Sequence, residues 1–531
     1  MRVLWQRATD QGAEVVLFPE LAVCGYPPED LLHKLHFLKD NRQAVERLAG
    51  WCDRGTVVAG YADTLDGRAY NGAAVIQGGR ITGVYRKGRL PNYGVFDESR
   101  YFESGSVPLT FTHGDLTAAL TICRDLWDTE WLRQRLAGLP FHWIANISAS
   151  PFELGKIARR HAVITRCAQQ LRCPVVYCNL VGGQDELVFD GRSVVASAEG
   201  QIVGQGRAFD EDLVIVEIGR QSEGPTQISL VSPVAPVVEE PVEEVYHALV
   251  LGTRDYVVKN GFAKTLIGVS GGVDSALTAA IAVEAVGPQN VIAVTMPSRF
   301  NSPETIADAR NVADNLGIHL LTIPIEQILA SFGASLSAVP SWNDKGVAYE
   351  NLQARIRGTL LMSLSNQYGA LVLTTGNKSE VSVGYSTLYG DTAGGFAVIK
   401  DVPKTMVYQV ARLINERAGR EIIPAATIAR PPTAELRPNQ KDTDSLPEYD
   451  LLDAIITGYV EQDKSPAELI QSGFPESVVR RVVRLIDCSE YKRRQSPPGV
   501  RVTTKAFGKD RRLPITNRYD PSNGIEERSK K

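Results

Sequence analysis

Two groups of residues in this 531-residue chain have the types and spacing to do chemistry. The first is the run Ser-Gly-Gly-Val-Asp-Ser at 270–275, between a strand-like run at 265–269 and a helix-like run at 275–286. A strand, a glycine turn and a helix N-terminus aim backbone N–H groups at an anion. The hydroxyls of Ser270 and Ser275 can join them around a pyrophosphate, and Asp274 is placed to ligate its Mg²⁺. No Lys-Ser/Thr pair follows, as it does in a loop that serves γ-phosphoryl transfer. Pyrophosphate would then be the leaving group, and attack would fall on the α-phosphate. Ser-Gly-Gly alone reads equally well as a ligand-free turn; the full strand, SGGxDS, helix context favours the nucleotide. The second group is Glu20, Lys87 and Cys123, far apart in sequence but each at a predicted strand end or adjoining loop. A cysteine nucleophile needs a base for its proton and a cation for the charge that develops on the attacked carbonyl, and Glu with Lys supplies both without histidine. Singly, each has a blander reading: Cys123 as an inert core thiol, Lys87 as one basic residue among several.

The elements that must hold these residues fall into two halves. Before residue 220 come many short β-branched runs, such as "AEVVLFPE", "GTVVAGYAD", "DLTAALTIC" and "HWIANISAS", with few helices, notably at 155–171. That reads as a sheet-rich α/β domain over 1–222. The stretch "GRQSEGPTQISLVSPVAPVVEEPVEE" is rich in Pro, Ser and Glu, lacks strand or helix periodicity, and reads as a connection, assigned to 223–239. From 240 to 531 strands and helices alternate, with helices expected at 275–286, 304–316 and 351–368. Alternation of this kind predicts a doubly wound parallel sheet covered on both faces, with ligands beyond the C-terminal strand ends.

Composition narrows the function classes. With 57 basic against 61 acidic residues, the chain has no bulk attraction for nucleic acid or an anionic membrane surface. Its seven cysteines are scattered, without zinc-site spacing, and suit a reducing cytoplasm. No apolar run approaches membrane-spanning length, and no signal-peptide pattern opens the chain. Neither nucleic acid nor membrane is therefore expected as a partner.

The SGGxDS loop resembles that of the ATP-pyrophosphatase class. The segments "MPSRFNSPETIADARNVADNLGI", "ENLQARIRG", "TTGNKSEVSVGYSTLYGDTAGGFAVIKDVPKT", "PPTAELRPNQKDTDSLPEYDLLD" and "EYKRRQ" extend the resemblance over nearly all of residues 240–515, to the synthetase domain of the glutamine-dependent NAD synthetases. The resemblance implies ATP binding by Gly268, Val269, Ser270, Gly271, Gly272, Val273, Asp274 and Ser275, with Thr375 and Lys404; Mg²⁺ on Asp274 and Glu380; and deamido-NAD on Asn351, Glu380 and Lys492. Thr433 would lie beside the nucleotide. Read without the family, Thr375 ends a predicted strand and Glu380 follows a glycine turn on the same rim, whereas Lys404 and Lys492 read as solvated surface lysines.

The order FPE, KxxLPNYxVFDE, IC-D-W resembles the nitrilase-like glutaminase domain fused to the synthetase in that family, an α-β-β-α sandwich. It implies Glu20 as base, Lys87 as oxyanion cation, Cys123 as nucleophile, Glu98 as a further carboxylate, and Tyr93, Ser150 and Lys156 as glutamine-binding residues. Two departures stand out. Family members usually carry an acidic residue directly after the nucleophile, where this chain has Arg124. Nitrilase-like domains also open with a strand and a complete helix before "FPE", whereas Met1 falls inside what reads as that helix, so a first strand is expected to be missing and roughly 20 to 35 residues are expected upstream.

The reading is an ATP-dependent amidotransferase that converts deamido-NAD to NAD with glutamine nitrogen, releasing AMP, pyrophosphate and glutamate. ATP and Mg²⁺ are expected, a redox cofactor is not, and the resemblance implies channelled ammonia and at least a dimer. An ammonia-dependent synthetase with a merely structural N-terminal half is the alternative. A non-catalytic nucleotide-binding module is disfavoured by the presence of Asp274, Glu380 and Cys123 together.

Overall fold

A computed structural model of the chain describes residues 1–219, 226–231, 240–517 and 519. The chain divides into two compact units, residues 1–184 with 188–239, and residues 185–187 with 240–531.

In the first unit, β1 (Val15–Leu17), β2 (Thr56–Leu65), β3 (Arg68–Gln77) and β4 (Arg80–Arg86) form one sheet in that order, β1 parallel to β2 and the others antiparallel. A six-stranded sheet contains β5 (Leu109–His113), β6 (Leu116–Ile122), β7 (Trp143–Ser148), β8 (Val175–Asn179), β11 (Val194–Ala196) and β12 (Ile202–Gln205), in the order β12-β11-β8-β7-β6-β5. A ribbon of β9 (Val181–Gln184) and β10 (Leu187–Asp190) lies outside both sheets.

Alternation along the strands creates four layers. In β2, Val57, Ala59 and Tyr61 pack outward against Trp5 and Ala8 of α1 (Arg2–Asp10) and Val45 and Leu48 of α2 (Leu35–Trp51), while Val58 turns inward. In β7, Ile144 packs outward with Leu132 of α4 (Thr129–Arg135) and Ile164 and Cys167 of α5 (Lys156–Leu171), while Trp143, Ala145 and Ile147 turn inward. Each strand therefore buries both faces, which is why these runs read as continuous apolar stretches. The short α3 (Glu98–Tyr101) follows β4.

The stretch expected to be an irregular connection contains a strand: β14 (Gln227–Leu230) pairs antiparallel with β13 (Val216–Gly219). Four residues between Pro-rich flanks are too short to establish a periodicity. Residues 220–225 and 232–239 of that stretch lie outside the described residues, and 241–244 open the helix that follows. At the open edge of the first sheet, β1 pairs with β2 alone among the described residues, and a cavity of about 530 Å³ beside it is lined by β1, residues 212–218, Phe111, Trp143 and Val176.

In the second unit, β15 (Lys264–Gly268), β16 (Val291–Thr295), β17 (His319–Thr322), β18 (Ala370–Thr374) and β19 (Phe396–Ala397) form a parallel sheet ordered β17-β16-β15-β18-β19. The chain leaves β15 toward β16 on one side and returns to β18 on the other, so the crevice beyond β15 is a topological switch point. Following α6 (Pro241–Lys259), α7 (Val273–Val286) begins two residues earlier than the sequence pattern suggests, which places Asp274 in its first turn. Ser302 caps α8 (Pro303–Leu316) by accepting from Thr305 N at 3.2 Å. One face of the sheet packs on α9 (Glu326–Leu336) and α10 (Val347–Tyr368), the latter a turn longer than expected. After α11 (Lys378–Val383) and α12 (Lys404–Ala418), a separate cluster of Leu452, Ile455, Val482, Val483 and Ile486 holds the C-terminal helices together.

Candidate active sites

In the first unit the three separated residues meet. Glu20 follows β1 in a turn so close to β2 that a Cβ at Gly60 would stand 2.4 Å from Leu21 N and 2.7 Å from Glu20 Cα. Glycine at 60 is what lets the turn seat. Lys87 follows β4 directly; its Nζ donates to Glu20 Oε1 at 2.6 Å and to Glu98 Oε1 at 2.7 Å. Cys123 directly follows β6 with φ of 43°, a left-handed backbone that turns the chain out of the sheet. Glu20 Oε2 accepts from Ala149 N at 2.7 Å, and Asn71 of β3 donates to Glu20 Oε1 at 2.7 Å. Tyr26 donates to Glu98 at 2.8 Å.

The electrostatics follow from burial. Burial pushes the Cys123 thiol up to about 12, with the Glu20 charge adding and Lys87 opposing, so the thiol holds its proton at neutral pH and needs a base. Burial alone would lower the Lys87 ammonium, but the carboxylates of Glu20 and Glu98 outweigh it and hold the ammonium well above its usual range. Glu98 is raised to about 7 by burial, against Lys87 and with Glu20. Asp125, two residues past the nucleophile, accepts from Ile122 N at 3.0 Å, Gly88 N at 3.1 Å, Arg89 N at 2.8 Å and Tyr85 Oη at 2.8 Å. One carboxylate thus joins the Cys123 turn to the segment after Lys87.

The remaining residues expected around glutamine lie nearby. Tyr93 packs edge-on to Phe96 at 5.5 Å, and the Lys156 ammonium lies 5.9 Å from the same Phe96 ring while donating to Pro151 O at 2.8 Å. Buried Ser150 directly follows Ala149, and its N–H donates to Asn179 Oδ1 at 3.0 Å. Arg124, where the family pattern has an acid, lays its guanidinium 5.3 Å from the Tyr93 ring and 5.6 Å from Trp127.

In the second unit, the loop after β15 closes on itself. Ser270 N donates to Ser275 Oγ at 3.2 Å, Gly272 N to Ser270 Oγ at 3.2 Å, and Ser275 Oγ to Gly272 O at 3.0 Å. Gly271 has φ of 87°, and a Cβ there would stand 2.1 Å from Thr305 O. Asn377 is the joint of the site: its Oδ1 caps α11 by accepting from Glu380 N at 3.0 Å, and its Nδ2 donates to Asp274 Oδ1 at 2.9 Å. Lys404, at the start of α12, contacts Asp274 Oδ2 and is buried, not solvated as its sequence surroundings suggest. Burial and the Asp274 charge push Glu380 up to about 8 against Lys404. Among the described residues no cluster of three or more His, Cys, Asp or Glu is arranged to hold a metal. A Glu380 carboxyl raised beside the Asp274 carboxylate suits a hard dication that draws its other ligands from phosphate oxygens.

A cavity of about 240 Å³ opens beyond the sheet, lined by Gly268, Val269 and Ser270 from the loop, Val294 to Pro297 beyond β16, Thr374 and Thr375 beyond β18, and Arg357 and Gly358 of α10. Gly271 to Ser275 do not line it. Asn351 accepts from Thr387 Oγ1 at 2.8 Å, and Thr387 lines the wall. Lys492 stays off the wall, donating to Gly384 O at 2.7 Å and Ser386 O at 2.8 Å, while Thr433 donates to Gln440 O at 2.7 Å.

Sequence reasoning missed Asn71, Asp125, Asn377, Arg357 and Asp391. Arg357, lowered to about 10 by burial, is a cation of the cavity wall that donates to Met296 O at 3.0 Å. Asp391, on the same wall, is raised to about 6 by burial. The Asn-x-x-Glu spacing of a capping box was a readable signal for Asn377; a lone Asn in a strand gave none.

Comparison with known proteins agrees with this division. The carbon-nitrogen hydrolase family matches residues 1–227, and the NAD synthase family matches residues 245–496. The chain is 46% identical over 544 residues to the glutamine-dependent NAD(+) synthetase of Thermotoga maritima, covering 96% of this chain and 94% of that protein. It is 44% identical over 514 residues to that of Acinetobacter baylyi, covering 97% and 94%. A solved structure of the glutamine-dependent NAD+ synthetase of Acinetobacter baumannii with ADP superposes with a TM-score of 0.76 at 43% identity, covering 97% of this chain and 94% of that one. Another, from Cytophaga hutchinsonii, reaches a TM-score of 0.81 at 21% identity, covering 99% and 95%, a likeness of fold.

Proposed function

Since the chain belongs to the glutamine-dependent NAD(+) synthetase family, we propose that it makes NAD(+) from deamido-NAD, ATP and glutamine, with the glutaminase reaction in the first unit and the synthetase reaction in the second. The observation that carries the reading is the presence in one chain of the buried Glu20–Lys87–Cys123 cluster and of a Ser-Gly-Gly loop whose Asp274 is joined through Asn377 to Glu380. Relatives that match over nearly their full length and are named glutamine-dependent favour this over an ammonia-only synthetase.

In the first reaction Glu20 takes the Cys123 proton as the sulfur attacks the side-chain amide carbon of glutamine. Lys87 stabilises the oxyanion; the proton passes from Glu20 to the departing nitrogen, and ammonia leaves a thioester. Glu20 then takes a proton from water, which attacks the thioester and releases glutamate. Tyr93, Ser150 and Lys156 bind glutamine. In the second reaction an oxygen of the nicotinate carboxylate attacks the α-phosphate of ATP, pyrophosphate leaves, and ammonia displaces AMP from the adenylate. Ser270 to Ser275 and Lys404 hold the phosphates, Thr375 the nucleotide, and Asn351, Glu380 and Lys492 deamido-NAD. Asp274 and Glu380 would hold Mg²⁺, which when bound supplies neutralising charge to the pyrophosphate.

No helix of the described residues is long and apolar enough to cross a membrane. All seven cysteines are free, which supports a cytoplasmic setting. Self-association into at least a dimer is part of the proposal. The test is a product assay with deamido-NAD, ATP and Mg²⁺, comparing glutamine with ammonium. NAD, AMP and pyrophosphate with either donor, and glutamate only with glutamine, are expected; ADP and phosphate would overturn the reading.

A further inference from the structure

The side-chain oxygens of Glu20 are almost fully committed. Oε1 accepts from Lys87 Nζ at 2.6 Å and Asn71 Nδ2 at 2.7 Å, which fills both of its lone-pair directions; Oε2 accepts from Ala149 N at 2.7 Å, which fills one. A single acceptor direction remains, on Oε2. Asn71 lies on β3 with no exposed surface, and its backbone carbonyl accepts from Lys87 N at 2.9 Å. Its side-chain Oδ1 is buried with no hydrogen-bond partner. An amide serving only local packing would have both ends satisfied. Here one end is left empty and the other is given to a carboxylate, and flipping the amide would set its oxygen against Glu20 Oε1, acceptor to acceptor. Its orientation is dictated by Glu20 alone.

We propose that Asn71 is a positioning residue for the glutaminase reaction: its amide pins Glu20 Oε1, so that Oε2 is the atom that takes the Cys123 proton. The inference rests on the functional reading above. Lys87 cannot fulfil this role alone, because its ammonium is shared with Glu98 and is needed at the developing oxyanion. Asn71 keeps its donor on Glu20 throughout, before and after the proton arrives, and so holds the carboxylate in one rotamer while its charge changes. A loss that falls on kcat with little change in KM makes the role measurable, because a disordered site would lose both.

The experiment compares wild type, Asn71→Leu and Asn71→Asp in the full chain. Glutamine hydrolysis is followed as kcat and kcat/KM against pH, with ammonium-supported NAD formation as the internal reference and thermal unfolding as the check on folding. For Asn71→Leu, kcat with glutamine should fall about 10- to 100-fold with little change in KM. For Asn71→Asp, isosteric with the native residue, a pH dependence unlike that of the wild type is expected. A protonated Asp can donate to Oε1 as the amide does, and an ionised one repels it, so activity should be best at the acid end and decline as pH rises. Ammonium-supported synthesis should stay at the wild-type level in both. A kcat with glutamine that stays at the wild-type level in Asn71→Leu, a wild-type pH profile in Asn71→Asp, or equal losses with glutamine and ammonium, overturns the inference. A wild type unable to hydrolyse glutamine overturns the functional reading, and this inference with it.

Discussion

The Lys87 ammonium lies 2.6 Å from Glu20 Oε1, and neither side chain exposes any surface. A buried pair of this kind loses its hydration and is held by its partners' geometry; removing one member leaves the other charge stranded. With Glu98 also on the ammonium, the cation sits between two carboxylates.

Lys87→Met should therefore cost glutamine-supported NAD formation about 100- to 1000-fold, the scale of losing an oxyanion donor. Ammonium-supported formation should survive. Retention of glutaminase turnover within a few-fold of wild type would remove Lys87 from the chemistry.

Cys123→Ala should abolish glutamine-supported synthesis and leave the ammonium reaction largely intact, because adenylation uses no thiol. Equal loss with both nitrogen donors, in protein shown to be folded, contradicts the assignment of separate reactions to the two units.

Asp274→Asn and Glu380→Gln should each depress synthesis with either donor by about a hundredfold or more, since both remove charge from the pyrophosphate site. Quantifying AMP and pyrophosphate release checks this; a loss confined to glutamine as donor would count against it.

Glu380 also carries a stability signature. Its carboxyl is raised from an ordinary value of 4.5 to about 8, by burial first and the Asp274 charge next. Between those values the folded protein holds a proton that the unfolded chain has released, so the contribution is fully present below 4.5 and is lost as pH rises through about 8. Glu380→Gln has no charge to bury. Without Mg²⁺ its Tm should exceed that of wild type at pH 8 by at least about 2 °C, with the gap closing toward pH 5. A gap that widens on acidification would show that the carboxylate is stabilised in the fold.

Gly271→Ala should disable synthesis with both donors and lower stability by about 1 to 3 kcal/mol or more, because the backbone is left-handed and the new methyl would meet Thr305 O at 2.1 Å. Wild-type activity in this variant would mean that the loop relaxes at no cost.

Much of this was legible in the sequence. Parallel pairing in the second unit followed from the alternation of strands and helices, and the SGGxDS run supplied its own strand and helix context. Glu20, Lys87 and Cys123 were visible as strand-end residues with complementary chemistry. Asn71 and Asp125 were not, because their meaning lies in whom they touch across 51 and 36 to 37 positions of chain, and nothing local to "YNGAAV" or "CRDLW" distinguishes a hydrogen-bonded polar residue from an ordinary one. Lys404 read as solvated because a lysine at a helix start usually is; only the fold brings Asp274 to it. The strand at 227–230 was hidden by brevity, four residues between prolines.

The hydrogen bond from Ala149 N to Glu20 Oε2 crosses from the second sheet of the first unit to the first. The base and the lysine ride on one sheet, the nucleophile and the Ala149 N–H that donates to the base on the other, and the inner core between them is filled at Ala73, Ala118 and Ala145 by the smallest side chain that can still pack. Glutamine turnover therefore works as a caliper on the spacing of the two layers. An added methyl at any of those three alanines would be read out as lost glutaminase rate before the domain loses its cooperativity of unfolding, since atoms that must meet within a fraction of an ångström tolerate less than a core that merely has to stay dry.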